Sequence, residues 1–137
     1  MTYVFDTSFV GALVIPDEYD PLVSKMYGEI KGDDIKYVPQ LFWYEISNVF
    51  HKLLRRKRYS LDDILEFYPS LKAIRLTIDD ESGELYSEKL LRLCHEYDLS
   101  SYDAAYLELA KRKSAVLCTL DYKLHEAAKK HGVIVKH

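Results

Sequence analysis

Disulfide chemistry has little to work with in this chain. It holds two cysteines, Cys94 and Cys118, without CxxC spacing and each within an apolar segment. Both read as reduced core thiols, the usage expected of a cytoplasmic protein. No apolar run is long enough to span a bilayer, and the first residues lack the basic segment and apolar run of a secretory signal. An excess of one charge is lacking too. Nineteen Lys and Arg meet 22 Asp and Glu, giving a formal net charge of -3 and a pI of about 5.9. That argues against binding nucleic acid through a general basic surface. A polyanion would have to be held locally, by a metal or a basic patch. There is no Pro/Gly/Ser-rich linker, internal repeat or low-complexity tract. The five histidines, His51, His95, His125, His131 and His137, are scattered without metal spacing and read as structural or surface residues.

What is present is the pattern of one α/β domain over residues 1–137, long enough to bury a substantial core. Thr2 to Phe5 reads as a strand ending at Asp6, with Thr7 and Ser8 able to cap a short helix over Phe9 to Val14. A helix over Asp20 to Lys31, stopped by Gly32, precedes a strand over Ile35 to Val38. After Pro39 a long helix runs to about Arg58, with apolar residues at 42, 46, 49, 50 and 53 in one stripe. Ser60 with Asp63 reads as a capping box opening a helix that ends near Tyr68. A third strand is expected over Ala73 to Thr77. Asp79, Asp80 and Glu81 would then open a helix whose face is Tyr86, Leu90, Leu93, Cys94 and Tyr97. Ser100 with Asp103 reads as another capping box, and the nearly all-apolar run Ala115 to Thr119 as a strand covered on both faces. A helix from about Tyr122 to His131 and a strand over Val133 to Lys136 complete five strands and about seven helices. Strands separated by helices imply a parallel sheet with helices on both sides.

Four acids fall at comparable places in this pattern: Asp6, Glu45, Asp103 and Asp121. If the strands are parallel, all lie toward the carboxyl edge of the sheet, where open α/β sheets bind ligands. Helical arithmetic puts Glu45 and Asp103 on the borders of their apolar stripes. Clustered, partly buried carboxylates raise one another's pKa and suffer desolvation. A divalent cation relieves both, and Mg²⁺, which prefers oxygen and keeps waters, suits such a set. Local tasks remain open for three of them: Asp103 as a capping acid, Asp121 as an N-cap and Asp6 as a strand-end turn residue. Glu45, beside Phe42 and Tyr44, has no capping task.

Along its whole length the chain resembles the PIN domains of VapC type, the toxin ribonucleases of toxin–antitoxin pairs. The resemblance rests on Val4-Phe5-Asp6-Thr7-Ser8, on Pro39 followed by Tyr44-Glu45, on Tyr102-Asp103-Ala104-Ala105-Tyr106-Leu107-Glu108-Leu109-Ala110, and on Leu117-Cys118-Thr119-Leu120-Asp121. It implies a three-layer sandwich with strand order 3-2-1-4-5. It also implies an Mg²⁺ or Mn²⁺ site formed by Asp6, Glu45, Asp103 and Asp121, with Ser8 and Thr119 bracing the acids. The implied reaction is hydrolysis of an RNA phosphodiester to 5′-phosphate and 3′-hydroxyl ends. A homodimer and a small antitoxin are implied as partners. Tyr122-Lys123-Leu124 departs from the commoner acidic-aromatic ending, which bears on substrate contacts rather than on the metal site.

The chief basic feature is the run 51–58. Lys52 and Arg56 lie seven and eleven residues beyond Glu45 on nearly the same helical line, roughly 10 to 16 Å from it. They are candidates to hold RNA phosphates or an acidic segment of an antitoxin, the alternative being a solvated helix end. Of the twelve tyrosines, Tyr3, Tyr86, Tyr97 and Tyr106 read as core or dimer contacts. Tyr44 and Tyr102, each preceding a proposed ligand, are candidates for substrate contact. Two rival functions remain: a non-catalytic, dimeric protein-binding module with this fold, and a metal-dependent nuclease acting on another nucleic acid. A phosphoaspartate phosphatase is disfavoured, because Ser8 stands where that mechanism wants a second acid.

Overall fold

In the computed structural model, which describes residues 1–136, five parallel strands form one sheet. His137 lies outside the described residues. The strands are β1 (Thr2–Phe5), β2 (Ile35–Val38), β3 (Thr77–Ile78), β4 (Val116–Cys118) and β5 (Val135–Lys136). Their order is β3-β2-β1-β4-β5, the order expected from the resemblance. In β1, Val4 is in register with Tyr37 of β2 and with Leu117 of β4. The eight α-helices are α1 (Thr7–Val14), α2 (Pro21–Gly28), α3 (Phe42–Arg55), α4 (Leu61–Leu65), α5 (Tyr68–Ala73), α6 (Glu84–Tyr97), α7 (Ser101–Arg112) and α8 (Tyr122–Lys130), with a 3₁₀ turn at Pro16–Glu18. Among the described residues no helix is long and apolar enough to cross a membrane.

The two-residue period of the strands sorts their side chains into two cores. Tyr3, Phe5, Val38, Val116 and Cys118 pack with Phe9 and Val10 of α1, Ile46 and Phe50 of α3, and Leu71 of α5. Val4 and Leu117 turn the other way, to Leu93 of α6, Tyr106, Leu107 and Ala110 of α7, and Leu124 of α8. Each fully buried large apolar side chain contributes about 1.5–3 kcal/mol. Cys118 is buried and Cys94 partly so.

Several expected boundaries are corrected. Asp6, rather than Thr7 or Ser8, caps α1. The second helix ends at Gly28 and the long third helix at Arg55. The helix expected to end near Tyr68 ends at Leu65, and a further short helix, α5, starts at Tyr68. The strand expected over Ala73 to Thr77 is instead the two residues Thr77 and Ile78. Ala73 completes α5, and Arg75 adopts a left-handed backbone (φ 59°) that no strand continues through. The fourth and fifth strands are likewise shorter than read.

Asp79, Asp80 and Glu81 do not open a helix. Gly83, at φ 94°, starts α6 at Glu84. Asp79 is spent elsewhere: Arg112, at the end of α7, donates to it twice, at 3.0 and 2.6 Å, and to Glu108 at 2.9 and 3.1 Å. This ion network ties the far end of α7 to the end of β3.

Candidate active site

The site begins where β1 and β4 end side by side. Phe5 is in register with Cys118, so Asp6 and Thr119 leave the sheet together. Asp6 is buried and accepts three donors. The Phe9 N–H caps α1 on Oδ1 at 3.0 Å, the Ser8 hydroxyl reaches the same oxygen at 2.6 Å, and the Thr119 hydroxyl donates to Oδ2. Both hydroxyls also accept. Ser8 Oγ takes the Leu120 N–H at 2.9 Å, and Thr119 Oγ1 takes the Asp121 N–H at 3.0 Å. Each therefore works as an adaptor between the Asp6 carboxylate and the loop bearing Asp121. Asp121 itself caps α8, accepting from Leu124 N–H at 2.9 Å.

Glu45 and Asp103 come from the first turns of α3 and α7. Glu45 Oε1 accepts the Tyr106 hydroxyl at 2.6 Å. At α7, Ser100 Oγ accepts the Asp103 N–H, but the expected capping box is only half made. At α4 the box is reciprocal, Asp63 returning a bond to Ser60. Asp103 returns no bond to the Ser100 N–H, and its carboxyl interacts with the Ser100 side chain instead.

The four carboxylates form a ring of electrostatic couplings. Burial raises the pKa of Asp6 against its three hydrogen bonds, and the charge of Asp121 adds to the rise. Burial likewise lifts Glu45, opposed by the Tyr106 hydroxyl and reinforced by Asp103 and Asp6. For Asp103, burial and then Asp121 raise the pKa, while Lys123 and Ser100 oppose. The charge of Asp121 thus acts on Asp6 and Asp103, and the charges of Asp103 and Asp6 act on Glu45, which links the four acids. The sequence-predicted acids and their hydroxyl partners are brought together at one edge.

Among the described residues no three acids close into a ready-made metal cage. The donor chemistry nevertheless fits a hard cation. All four groups are carboxylates, each with about four acceptor sites, so even Asp6 with three donors has capacity left. Mg²⁺ keeps several waters and takes one or two carboxylates directly, so a spread ring suits it better than a tight cage would. The upward pKa shifts are the strain that such an ion relieves.

Beside the ring lies a cavity of about 580 Å³ lined by Leu41, Tyr44, Glu45, Asn48, Lys52 and Tyr102. Lys52 therefore sits on the cavity, whereas Arg56, which caps the end of α3, is exposed on the surface. Of the histidines, His51 and His95 are exposed, and His131 Nδ1 lies 2.9 Å from the Tyr97 hydroxyl. His125 lies in a smaller hollow beside Asp121. Sequence reasoning left two residues out of the site. By its sequence Tyr106 reads as a core or dimer contact; it is buried, yet its hydroxyl holds Glu45. The signal was its spacing of three from Asp103, which puts both on one face of α7. Asn48 carried a similar signal, lying one helical turn beyond Tyr44.

The sequence model of the PIN domain matches residues 3–130. Ribonuclease VapC3 of Pyrobaculum aerophilum is 29% identical over 136 residues, covering 92% of this chain and 94% of the relative. A crystal structure of a protein from the same organism superposes with a TM-score of 0.69 at 24% identity, over 98% of this chain and 89% of that one. VapBC2 of Rickettsia felis, solved bound to a DNA fragment from its promoter, gives 0.66 at 17% identity, over 99% and 98% of the two chains. At these identities the two solved structures speak for the fold alone. With the family match spanning nearly all of the sequence, this chain belongs to the PIN domain family.

Proposed function

We propose that this chain is a divalent-metal-dependent endoribonuclease and serves as the toxin of a toxin–antitoxin pair in the cytoplasm. The observation that carries the reading is the ring of four coupled carboxylates at the carboxyl edge of the sheet, three of them raised in pKa. The name of the Pyrobaculum relative, a ribonuclease, supports RNA as the substrate. In this reading Asp6, Glu45, Asp103 and Asp121 hold Mg²⁺ or Mn²⁺. When bound, the ion supplies neutralising charge to the phosphoryl oxygens and acidifies water for in-line attack.

The chain's own residues have the positioning work. Ser8 and Thr119 fix both oxygens of Asp6. The Tyr106 hydroxyl sets the rotamer of Glu45 and favours its ionised form. Tyr44, Tyr102, Lys52 and Arg56 contact the RNA or an antitoxin segment on the open side of the ring. The products carry 5′-phosphate and 3′-hydroxyl ends, and the working unit is a homodimer.

The test is cleavage of RNA by the purified protein, with the new ends sequenced. Cutting is expected with Mg²⁺, none with EDTA, and none from Asp103→Asn with an unchanged circular dichroism spectrum. Cutting that survives EDTA, or that Asp103→Asn leaves intact, rejects the proposal.

A further inference from the structure

We infer that the 580 Å³ cavity beside the acid ring is a nucleobase pocket, which takes one unstacked base of a single-stranded RNA next to the phosphate being cut. This rests on the ribonuclease reading and assigns its substrate class. Tyr44 and Tyr102 come from different helices and line the same cavity, and they are 78% and 60% exposed. Neither belongs to either core, so the fold has no use for these rings. Each precedes an acid of the ring by one residue. A step of about 100° around a helix turns the acid inward and leaves the tyrosine at the mouth.

The rest of the lining favours a base over other occupants. Asn48 stands one turn beyond Tyr44 and offers donors and an acceptor without charge, the match for a base edge rather than a phosphate. Lys52 is one turn further, about 12 Å from Tyr44 along the axis, where a neighbouring phosphate would run. Glu45 lines the same cavity, so the pocket adjoins the ring. The volume lies within the range of sites that enclose small ligands. Unstacked bases on aromatic side chains are the usual means of reading single-stranded RNA, and a duplex base cannot enter.

The test reads binding apart from cleavage. In an Asp103→Asn background, fluorescence anisotropy measures a labelled oligoribonucleotide and matched copies with one abasic position moved along the strand. One abasic position is expected to weaken binding on the order of tenfold, as are Tyr44→Ala and Tyr102→Ala. In those two variants the abasic position should no longer matter, while Tyr44→Phe keeps the parent affinity. With Asp103 restored, Asn48→Ala should flatten base preference at one position beside the cut.

Alanine variants that bind within twofold of their parent, with a flat abasic scan, overturn the pocket even if the protein cleaves RNA. Base-dependent binding without any cleavage keeps the pocket and removes the nuclease reading instead. Substitutions that spare RNA binding but abolish association with a protein partner assign the cavity to that partner and also overturn the inference.

Discussion

Replacing Arg112 with leucine should destabilise the protein through the acids that it leaves behind. Arg112 makes four hydrogen bonds, two to Asp79 and two to Glu108, and the two carboxylate side chains are only 6% and 8% exposed. Removing one partner of such a buried group strands the others, at about 3–5 kcal/mol. At this chain length that corresponds to a fall in Tm of roughly 10–15 °C. Burial acts to raise the pKa of Asp79, but the hydrogen bonds and charge of Arg112 outweigh it and hold the carboxyl below its ordinary 3.8. Its native pKa is depressed, so this contribution is full above pH 3.8 and is lost as the pH falls through the native value. In Arg112→Leu the sign reverses: a buried Asp79 without its cation prefers its proton, so the variant loses stability as the pH rises through the carboxylate range. The gap between the two proteins is therefore widest at neutral pH and closes toward pH 4. Urea unfolding followed by far-UV circular dichroism at both pH values measures it. A neutral-pH difference below about 1 kcal/mol, or one equal at both pH values, refutes an ion network that needs its cation. The substitution removes charge from the end of α7, whose first turn presents Asp103. That helix end lies outside the acid ring, so a triple apolar replacement of Arg112, Asp79 and Glu108, which leaves no buried charge unpaired, should restore the stability.

Tyr106→Phe keeps the buried ring and removes only the 2.6 Å donation to Glu45. Stability should change by less than about 1.5 kcal/mol, kcat/KM should fall, and the acid limb of the pH–rate profile should move to higher pH, because the hydroxyl is what pulls the Glu45 pKa down. Asp103→Asn should raise the Tm of the metal-free protein at neutral pH, since it removes a charge from the ring, while abolishing the rise in Tm that Mg²⁺ gives the parent. Both are read by thermal melts with and without EDTA, and a lower metal-free Tm contradicts the coupling. Thr119→Val deletes one of the donors to buried Asp6 and should cost about 1–3 kcal/mol in urea unfolding. Lys52→Gln should reduce the salt slope of RNA binding by about one phosphate contact, whereas Arg56→Gln, off the cavity, should reduce it less.

The fold was readable where period and chemistry agree. The β-branched and aromatic run Thr2–Phe5, the nearly all-apolar run around Val116–Cys118 and the stripe of α3 each mark an element whose burial follows the pattern. Reading failed between Tyr68 and Gly83, where local sequence and tertiary demand part. Three consecutive acids look like a helix start, yet Asp79 answers to Arg112, 33 positions away, and no local rule reports so distant a partner. The bond of Tyr106 to Glu45 spans 61 positions and is not local either, although the spacing from Asp103 does place Tyr106 on the same face of α7.

At the site, the apparent contest between capping and ligand roles dissolves on inspection of oxygens. Asp6 and Asp121 do cap helices, with Oδ1 in each case. A carboxylate has about four acceptor sites, so a cap consumes a fraction of it and also locks its rotamer. Glu45 and Asp103 cap nothing. They are the two whose burial and like-charge neighbours push the pKa up without a helix-capping bond to the backbone in return. A half-buried acid among like charges, held by a tyrosine that is itself buried, points to chemistry more directly than the two capping acids do. The pair Glu45–Tyr106 is therefore the strongest single mark of function in the chain: a bland helix-border glutamate would be free to leave the cleft for water, and this one is held in place.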